Sequence, residues 1–210
     1  MEATETDIRS RHPISESVRS RRSIRLFRDD PIPGDVVREL VRAALWAPSP
    51  HNSQPWRFTA LFGRADKERL ADAMGERLTR DLRDDHLGED EVARQTARSR
   101  LRITSAPVAI LCSLVGDGLG SYPDRRRNEL EWQMAVQSVG AVLQTLFLLA
   151  AARGLGTCWM AAPMYCPGEV RSALALAPEL VPQALVLLGY PAHPGKVRPR
   201  RFLDEVLELR

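Results

Sequence analysis

The chain has 210 residues, 44% apolar and 27% charged, with 30 Lys and Arg against 27 Asp and Glu and a net charge of +3. That suits one domain with a real core, and the near balance of charge gives no support to a nucleic-acid role. The 3 cysteines, Cys112, Cys158 and Cys166, form no Cys-x-x-Cys pair, which argues against a structural zinc site or a disulfide framework and for a reducing cytoplasm.

Residues 1–12 are polar and charged, with no secretory pattern, and read as a flexible lead. Ile14 and Val18, four apart after Pro13, predict a short helix that delivers Arg21-Arg22-Ser23-Ile24-Arg25. Pro33-Gly34-Asp35 predicts a helix start, with an apolar face of Val36, Val37, Leu40, Val41, Ala44 and Leu45 that ends at Pro48. Trp56–Phe62 alternates as a strand. A helix is expected from Ala65 to about Asp84, with Leu70, Met74, Leu78 and Leu82 as its buried stripe. Residues 84–104 are highly charged, and Gly88 divides them into two helical pieces. Arg94, Arg98 and Arg102 share a face there that reads as solvated.

Pro107–Val115 is a continuous apolar run and predicts a buried strand. Gly116–Pro123 is a loop. The longest helix is expected over roughly Asn128–Arg153, closed by Gly154. It is apolar nearly all round from Val136 to Ala152, so it must be buried on most sides. In a chain of this size that predicts a subunit interface, and hence a homodimer. No stretch reads as membrane-spanning, the longest apolar run being Leu146–Ala152. A loop at Ala161–Cys166, a short helix from Pro167 to Leu176 and a strand at Val181–Gly189 follow. The end carries a second cationic cluster, Lys196–Arg201, and an extended Phe202–Leu209 tail. No internal repeat divides the chain.

Two stretches bear on function. Between Pro48, Pro50 and Pro55 lie Ser49, His51, Asn52, Ser53 and Gln54, bracketed by Trp46 and Trp56. Prolines at this density exclude a helix, and two tryptophans have large apolar areas to bury. The segment reads either as a rigid, partly buried polar loop or as a wall against a flat polar ligand. In Arg21–Arg25, alternate residues of an extended chain would point Arg21, Ser23 and Arg25 the same way. They form either a solvated basic face or an anion site, since guanidinium forks suit phosphate oxygens.

Arg-Arg-Ser-Ile-Arg-x-Phe followed by Ala-Pro-Ser-x-x-Asn-x-Gln-Pro-Trp-x-Phe resembles the N-terminal signature of the FMN-dependent nitroreductase family, and Gly154-Leu-Gly156-Thr-Cys-Trp159 resembles its Gly-Leu-Gly-x-x-Trp strand entry. The resemblance spans about residues 14–208. It implies an α+β, three-layer fold with a central, mostly antiparallel sheet flanked by helices. It also implies an intertwined homodimer in which 14–210 is one FMN-binding domain behind the 1–13 lead.

By the same resemblance FMN binds at the dimer interface. Arg21, Arg22, Ser23 and Arg25 match its phosphate and ribityl anchors, and Lys196 and Arg198 approach the same phosphate from the C-terminal side. Pro48, Ser49, Pro50, His51 and Asn52 match the loop that the partner subunit lays against the isoalloxazine and ribityl chain. Pro163, Met164 and Tyr165 match the loop whose backbone N–H faces flavin N5. The region of 84–104 often helps to cover substrate in that family.

No catalytic side chain and no metal are implied, because the flavin carries the hydride chemistry. His51 and Tyr165 are the side chains best suited to touch substrate, although His51 reads equally as a structural hydrogen-bonder. Cys158 and Cys166 read as buried small residues.

Asn128-Glu129-Leu130-Glu131-Trp132-Gln133-Met134, the Pro-His-Asn loop and Arg153–Trp159 look like the flavin-binding C-terminal domain of the bifunctional ligase that completes coenzyme F-420. This implies reduction of a dehydro precursor of that deazaflavin, with NAD(P)H or a reduced deazaflavin as donor. The Arg94–Arg102 face would suit such an acidic substrate. Alternatives are a general nitroreductase or quinone reductase, an azoline oxidase, a flavin-cleaving enzyme, or a non-catalytic flavin-binding module.

Overall fold

The computed structural model describes residues 13–210, so the expected lead lies outside the described residues except for Pro13. In chain order the elements are α1 (Pro13–Ser20), α2 (Gly34–Ala44), β1 (Trp56–Leu61), α3 (Arg64–Asp84), α4 (Glu89–Ser105), β2 (Val108–Leu114), α5 (Arg125–Ala152), β3 (Gly156–Met160), α6 (Pro167–Ala173) and β4 (Val181–Gly189). Short 3-10 turns occur at Pro50–Asn52, Ala162–Tyr165 and Leu203–Glu205. The last of these interrupts the tail that the sequence presents as extended.

The sheet has 4 strands in the order β1-β2-β4-β3, and every pairing is antiparallel. β2 and β4 form its centre and are buried on both faces, which explains their near-continuous apolar sequences. Alternate residues serve opposite layers. Val108, Ile110, Cys112 and Leu114 with Ala184, Val186 and Leu188 pack against Val37 and Leu40 of α2 and Val139, Leu143 and Leu146 of α5. Ala109, Leu111, Leu185 and Leu187 pack against Leu70 and Met74 of α3, Ile103 of α4 and Val170 of α6. The result is helix, sheet, helix, the three-layer α+β arrangement expected.

α5 is the central helix and runs 28 residues, beginning three residues earlier than the hydrophobic pattern suggests. The Asp124 carboxylate accepts the Arg127 N–H at 2.9 Å and so caps a charged first turn that carries no apolar signal. At the other end Gly154 takes φ +71. Its N–H reaches the Ala151 carbonyl at 3.0 Å and the Leu155 N–H reaches that of Ala150 at 2.9 Å, a Schellman closure. Inside the helix, Ser138 and Thr145 satisfy their hydroxyls on the carbonyls of Met134 and Ala141, at 2.8 and 2.9 Å.

By length and composition α5 is apolar enough to cross a membrane, contrary to the sequence reading. Its Ala135, Val139, Val142, Leu143, Leu146, Phe147 and Ala150 are instead spent on the sheet. Val136 and Trp132 on its other side are exposed.

In α3 the buried set is Lys67, Leu70, Ala71, Met74 and Gly75. Leu78 and Leu82 are only half-buried, because a strict four-residue spacing drifts off the face of a 3.6-residue helix.

Candidate functional site

After α1 the chain becomes extended and is stitched to the sheet edge. The Ile24 N–H donates to the Thr157 carbonyl at 2.9 Å, the Arg28 N–H to that of Tyr190 at 2.9 Å, and the Ala192 N–H to that of Leu26 at 3.1 Å. Ile24 is buried against β3, and Gly156 permits it: a Cβ there would lie 2.8 Å from the Ile24 Cβ. With Ile24 inward, the alternation of an extended segment turns Arg21, Ser23 and Arg25 to the other side.

The chain leaving β4 returns to the same place. Gly195 has φ +79, and a Cβ on it would come within 2.8 Å of the Arg22 Cβ and 2.9 Å of the Ile24 Cδ1. This close approach sets Lys196 and Arg198 beside Arg21–Arg25. A cavity of about 910 Å³ opens there, lined by Arg21, Arg22, Ser23, Arg25, Lys196 and Arg198 together with His193 and Arg200. Two cationic stretches some 170 residues apart thus line one cavity, the juxtaposition that the family resemblance implies.

The cavity has a third wall, from the helix that the sequence reads as a solvated face and the resemblance as a cover for substrate. Arg98, Leu101, Arg102 and Ser105 of α4 also line it. The expectation of a solvated Arg94–Arg102 face therefore holds for Arg94, which pairs with Glu91, and for exposed Arg98, and fails only for half-buried Arg102. The i, i+4 spacing was visible; only the packing of α4 reveals what it faces. That packing is reinforced where α4 ends, because buried Lys67 donates from Nζ to the Ala106 carbonyl at 2.6 Å and the Pro107 carbonyl at 3.3 Å. Burial, and then Arg64, lower the Lys67 pKa.

No carboxylate lines the cavity. Burial lowers the Arg102 pKa, as do the positive charges of Arg98 and Arg25. Among the described residues, none of the cavity's cations forms an ion pair with an acid within 4 Å. Arg22 and Arg200 have backbone roles, Arg200 donating from Nη1 to the carbonyls of Arg198 and Pro199 at 3.0 and 3.2 Å. The Arg22 Nη1 donates to the carbonyls of Arg19 and Arg21, at 2.5 and 3.0 Å. A concave site with unpaired cations and a serine hydroxyl suits a phosphate.

The Pro48–Asn52 loop does not line this cavity. Ser49 accepts the Gln54 N–H on its Oγ at 3.0 Å, and the Gln54 Nε2 donates to the Asn52 Oδ1 at 3.3 Å. His51, Asn52 and Gln54 all hold positive φ, at 52°, 53° and 47°. Such local bonding among residues held in the left-handed region marks a rigid, strained loop. The Ser53 Oγ is buried without a hydrogen-bond partner among the described residues. Trp56 is buried, but Trp46 is 89% exposed, so one chain does not bury both tryptophans as expected.

Pro163, Met164 and Tyr165 also lie off the cavity lining, with Pro163 buried and the other two exposed. Pro163 has no N–H, and that of Met164 donates to the Ala161 carbonyl at 3.0 Å. Tyr165 closes the same 3-10 turn, so the amides of this segment are engaged locally and none of the three residues is singled out as a donor to a flavin.

Burial pushes the Cys112 thiol up to about 12 and, with Glu169, the Cys166 thiol up to about 11. Burial also raises Cys158, against the opposing charges of Arg25 and Arg102. None is a ready nucleophile at neutral pH. Among the described residues no group of three or more His, Cys, Asp or Glu could hold a metal.

Residues 18–190 match the family model described as "Nitroreductase family". Among curated proteins, the chain is 33% identical over 198 residues to a protein of Thermus thermophilus named NADH dehydrogenase, covering 89% of this chain and 91% of that one. It is 35% identical over 181 residues to the 5,6-dimethylbenzimidazole synthase of Rhodospirillum rubrum, covering 81% and 78%. Among solved structures, a Desulfovibrio desulfuricans protein in complex with FMN superposes with a TM-score of 0.69 at 29% identity, covering 94% of this chain and 97% of that one.

Proposed function

The chain belongs to the nitroreductase family, and from that premise we propose that it is an FMN-dependent oxidoreductase whose flavin phosphate sits in the cationic cavity. The observation that carries this reading is the meeting of Arg21, Ser23 and Arg25 with Lys196 and Arg198 in one cavity that contains no carboxylate. A phosphate dianion there would offset charges that otherwise repel one another, and Ser23 would add a neutral donor. Arg22 orients the segment from behind by holding the carbonyls of Arg19 and Arg21. The FMN in the Desulfovibrio relative supports the choice of flavin.

When bound, FMN supplies reversible hydride transfer between a donor and a substrate. The protein's part is to anchor the phosphate, to shield the ring system from water, and to present the backbone of the Pro163, Met164 and Tyr165 loop toward flavin N5. Pro48, Ser49, Pro50, His51 and Asn52 serve the site from the second copy of a homodimer, since in one chain they stand apart from the cavity. Exposed Trp46, Trp132 and Val136 support that assembly, because they leave large apolar area to cover. The names of relatives such as NADH dehydrogenase favour NAD(P)H as the donor.

A narrower reading makes the substrate a dehydro precursor of coenzyme F-420. It is supported by the residue string Asn128–Met134 and by the basic α4 wall, which suits an acidic substrate.

The test is the visible spectrum of freshly purified protein, with the released chromophore weighed by mass spectrometry, followed by anaerobic reduction with NADH or NADPH. FMN at one per chain, bleached by the donor, is expected. A protein that is colourless and refuses added FMN would overturn the reading, and bound flavin that no donor reduces would favour a binding module. Nitroaromatics, quinones and dehydro deazaflavin precursors then compete as substrates. Loss of the chromophore during turnover in air would point to the flavin-cleaving alternative.

A further inference from the structure

We propose that the α4 wall of the cavity is a second anion subsite, built from Arg98, Arg102 and Ser105, which takes a phosphate group other than the FMN phosphate. The inference rests on the functional reading only for the opposite wall, where Arg21, Ser23, Arg25, Lys196 and Arg198 are already assigned.

Charge is the first argument. Arg21, Arg22, Arg25, Arg98, Arg102, Lys196, Arg198 and Arg200 all line one cavity, with no Asp or Glu among the lining residues. A phosphate monoester carries roughly two negative charges at neutral pH. One such group leaves most of this positive charge uncompensated, even after Arg22 and Arg200 are set aside for their backbone bonds.

The second argument is a contrast within a single helix. α4 carries four arginines. Arg94 pairs with Glu91, and Arg100 pairs with Asp72 and Glu68. Both lie off the cavity lining. Arg98 and Arg102, which line it, have no carboxylate within 4 Å among the described residues. Glu91, whose charge interacts with Arg98, is committed to Arg94 and Gln95. The helix thus neutralises the two arginines off the cavity and leaves the two that line it, exposed Arg98 and half-buried Arg102, without an ion pair. Four residues apart, that pair sits on one face, and Ser105, a turn further on, adds a hydroxyl to the same lining. The volume of about 910 Å³ leaves room for a second anionic group beside the first.

The chemistry recognised is a phosphate. It belongs either to a separate phosphate-bearing substrate or to the second phosphate of a dinucleotide. The experiment uses wild-type protein and an Arg98→Gln/Arg102→Gln variant, neither substitution touching a residue assigned to FMN. FMN-loaded protein is titrated calorimetrically with inorganic pyrophosphate, and flavin-free protein with FMN and with FAD.

One pyrophosphate per FMN-loaded chain is expected. Binding should weaken roughly hundredfold in the double variant, about tenfold for each lost charged hydrogen-bonding group, while FMN content stays at one per chain. A preference for FAD over FMN that disappears in the double variant would support the subsite equally and locate the second phosphate on the cofactor. The proposal is overturned if wild type shows neither pyrophosphate binding nor FAD preference, or if the double variant behaves as wild type. Loss of FMN from the folded double variant would also overturn it, by assigning Arg98 and Arg102 to the flavin phosphate. Failure of the functional reading looks different: no flavin binds, yet pyrophosphate binding sensitive to the double variant persists.

Discussion

Gly195→Ala perturbs a close approach of the segment that leads into Lys196 to the side chains of Arg22 and Ile24. Residue 195 has φ +79, where a side chain costs on the order of 1–2 kcal/mol. The added methyl would also lie 2.8 Å from the Arg22 Cβ and 2.9 Å from the Ile24 Cδ1. The Ile24 methyl can rotate away, but the Arg22 Cβ is fixed to the backbone, so the overlap adds roughly 1–2 kcal/mol. The sum is about 2–4 kcal/mol.

Residue 195 lies outside regular secondary structure, whereas Ile24 is buried and hydrogen-bonded to β3. The 193–199 segment should therefore yield first and carry Lys196 and Arg198 away from Arg21. Fluorescence titration of flavin-free protein should show FMN affinity reduced by roughly thirtyfold or more. The thermal midpoint of the same flavin-free protein should change little. If the fold absorbed the strain instead, the midpoint would fall by about 4–16 °C. A variant with wild-type FMN affinity and a wild-type midpoint would refute the claim that this approach is tight and that it positions the C-terminal cations.

Arg21→Ala and Arg198→Ala should each lower FMN affinity at least about tenfold while leaving the circular dichroism spectrum intact, and unchanged flavin stoichiometry in both would remove these residues from the phosphate site. Native protein at pH 8 should resist iodoacetamide at all three cysteines, because burial raises their pKa values above that pH and suppresses the thiolate. Rapid labelling of Cys158, the one beside the cavity arginines, would show that their field outweighs burial. Asp124→Ala should lower the thermal midpoint by a few degrees without altering flavin content. The Arg127 N–H and guanidinium hold the Asp124 pKa below the ordinary carboxylate range. Its contribution is therefore complete above the unfolded value and lost as pH falls through the lower folded one, and a difference between wild type and variant that survived in strong acid would contradict the cap.

The sheet was legible because β2 and β4 are buried on both faces and so write continuous apolar runs, and β4 spans Val181–Gly189 as read from sequence. The convergence of Arg21–Arg25 with Lys196–Arg198 was reached only through resemblance, since the contact at Gly195 and Arg22 depends on the whole path between them. Other features resisted reading for physical reasons. Asp124 starts α5 before any apolar residue, so hydrophobic periodicity could not find it. Arg98 and Arg102 have the spacing of a solvated face, and only the packing of α4 on α3 and the sheet gives that face a cavity to line. Trp46 was expected to be buried by its area, yet a single chain provides nothing to bury it against.

The most direct test of the central claim, that the cationic cavity holds a flavin phosphate, is to titrate flavin-free protein with FMN and with riboflavin, which differ only in that group. Three or more charge-assisted contacts to the phosphate predict FMN binding at least about a hundredfold tighter than riboflavin, with the advantage largely lost in the Arg21→Ala/Arg198→Ala double variant. Equal affinities for the two flavins, or a preference that the double variant leaves untouched, would contradict the account.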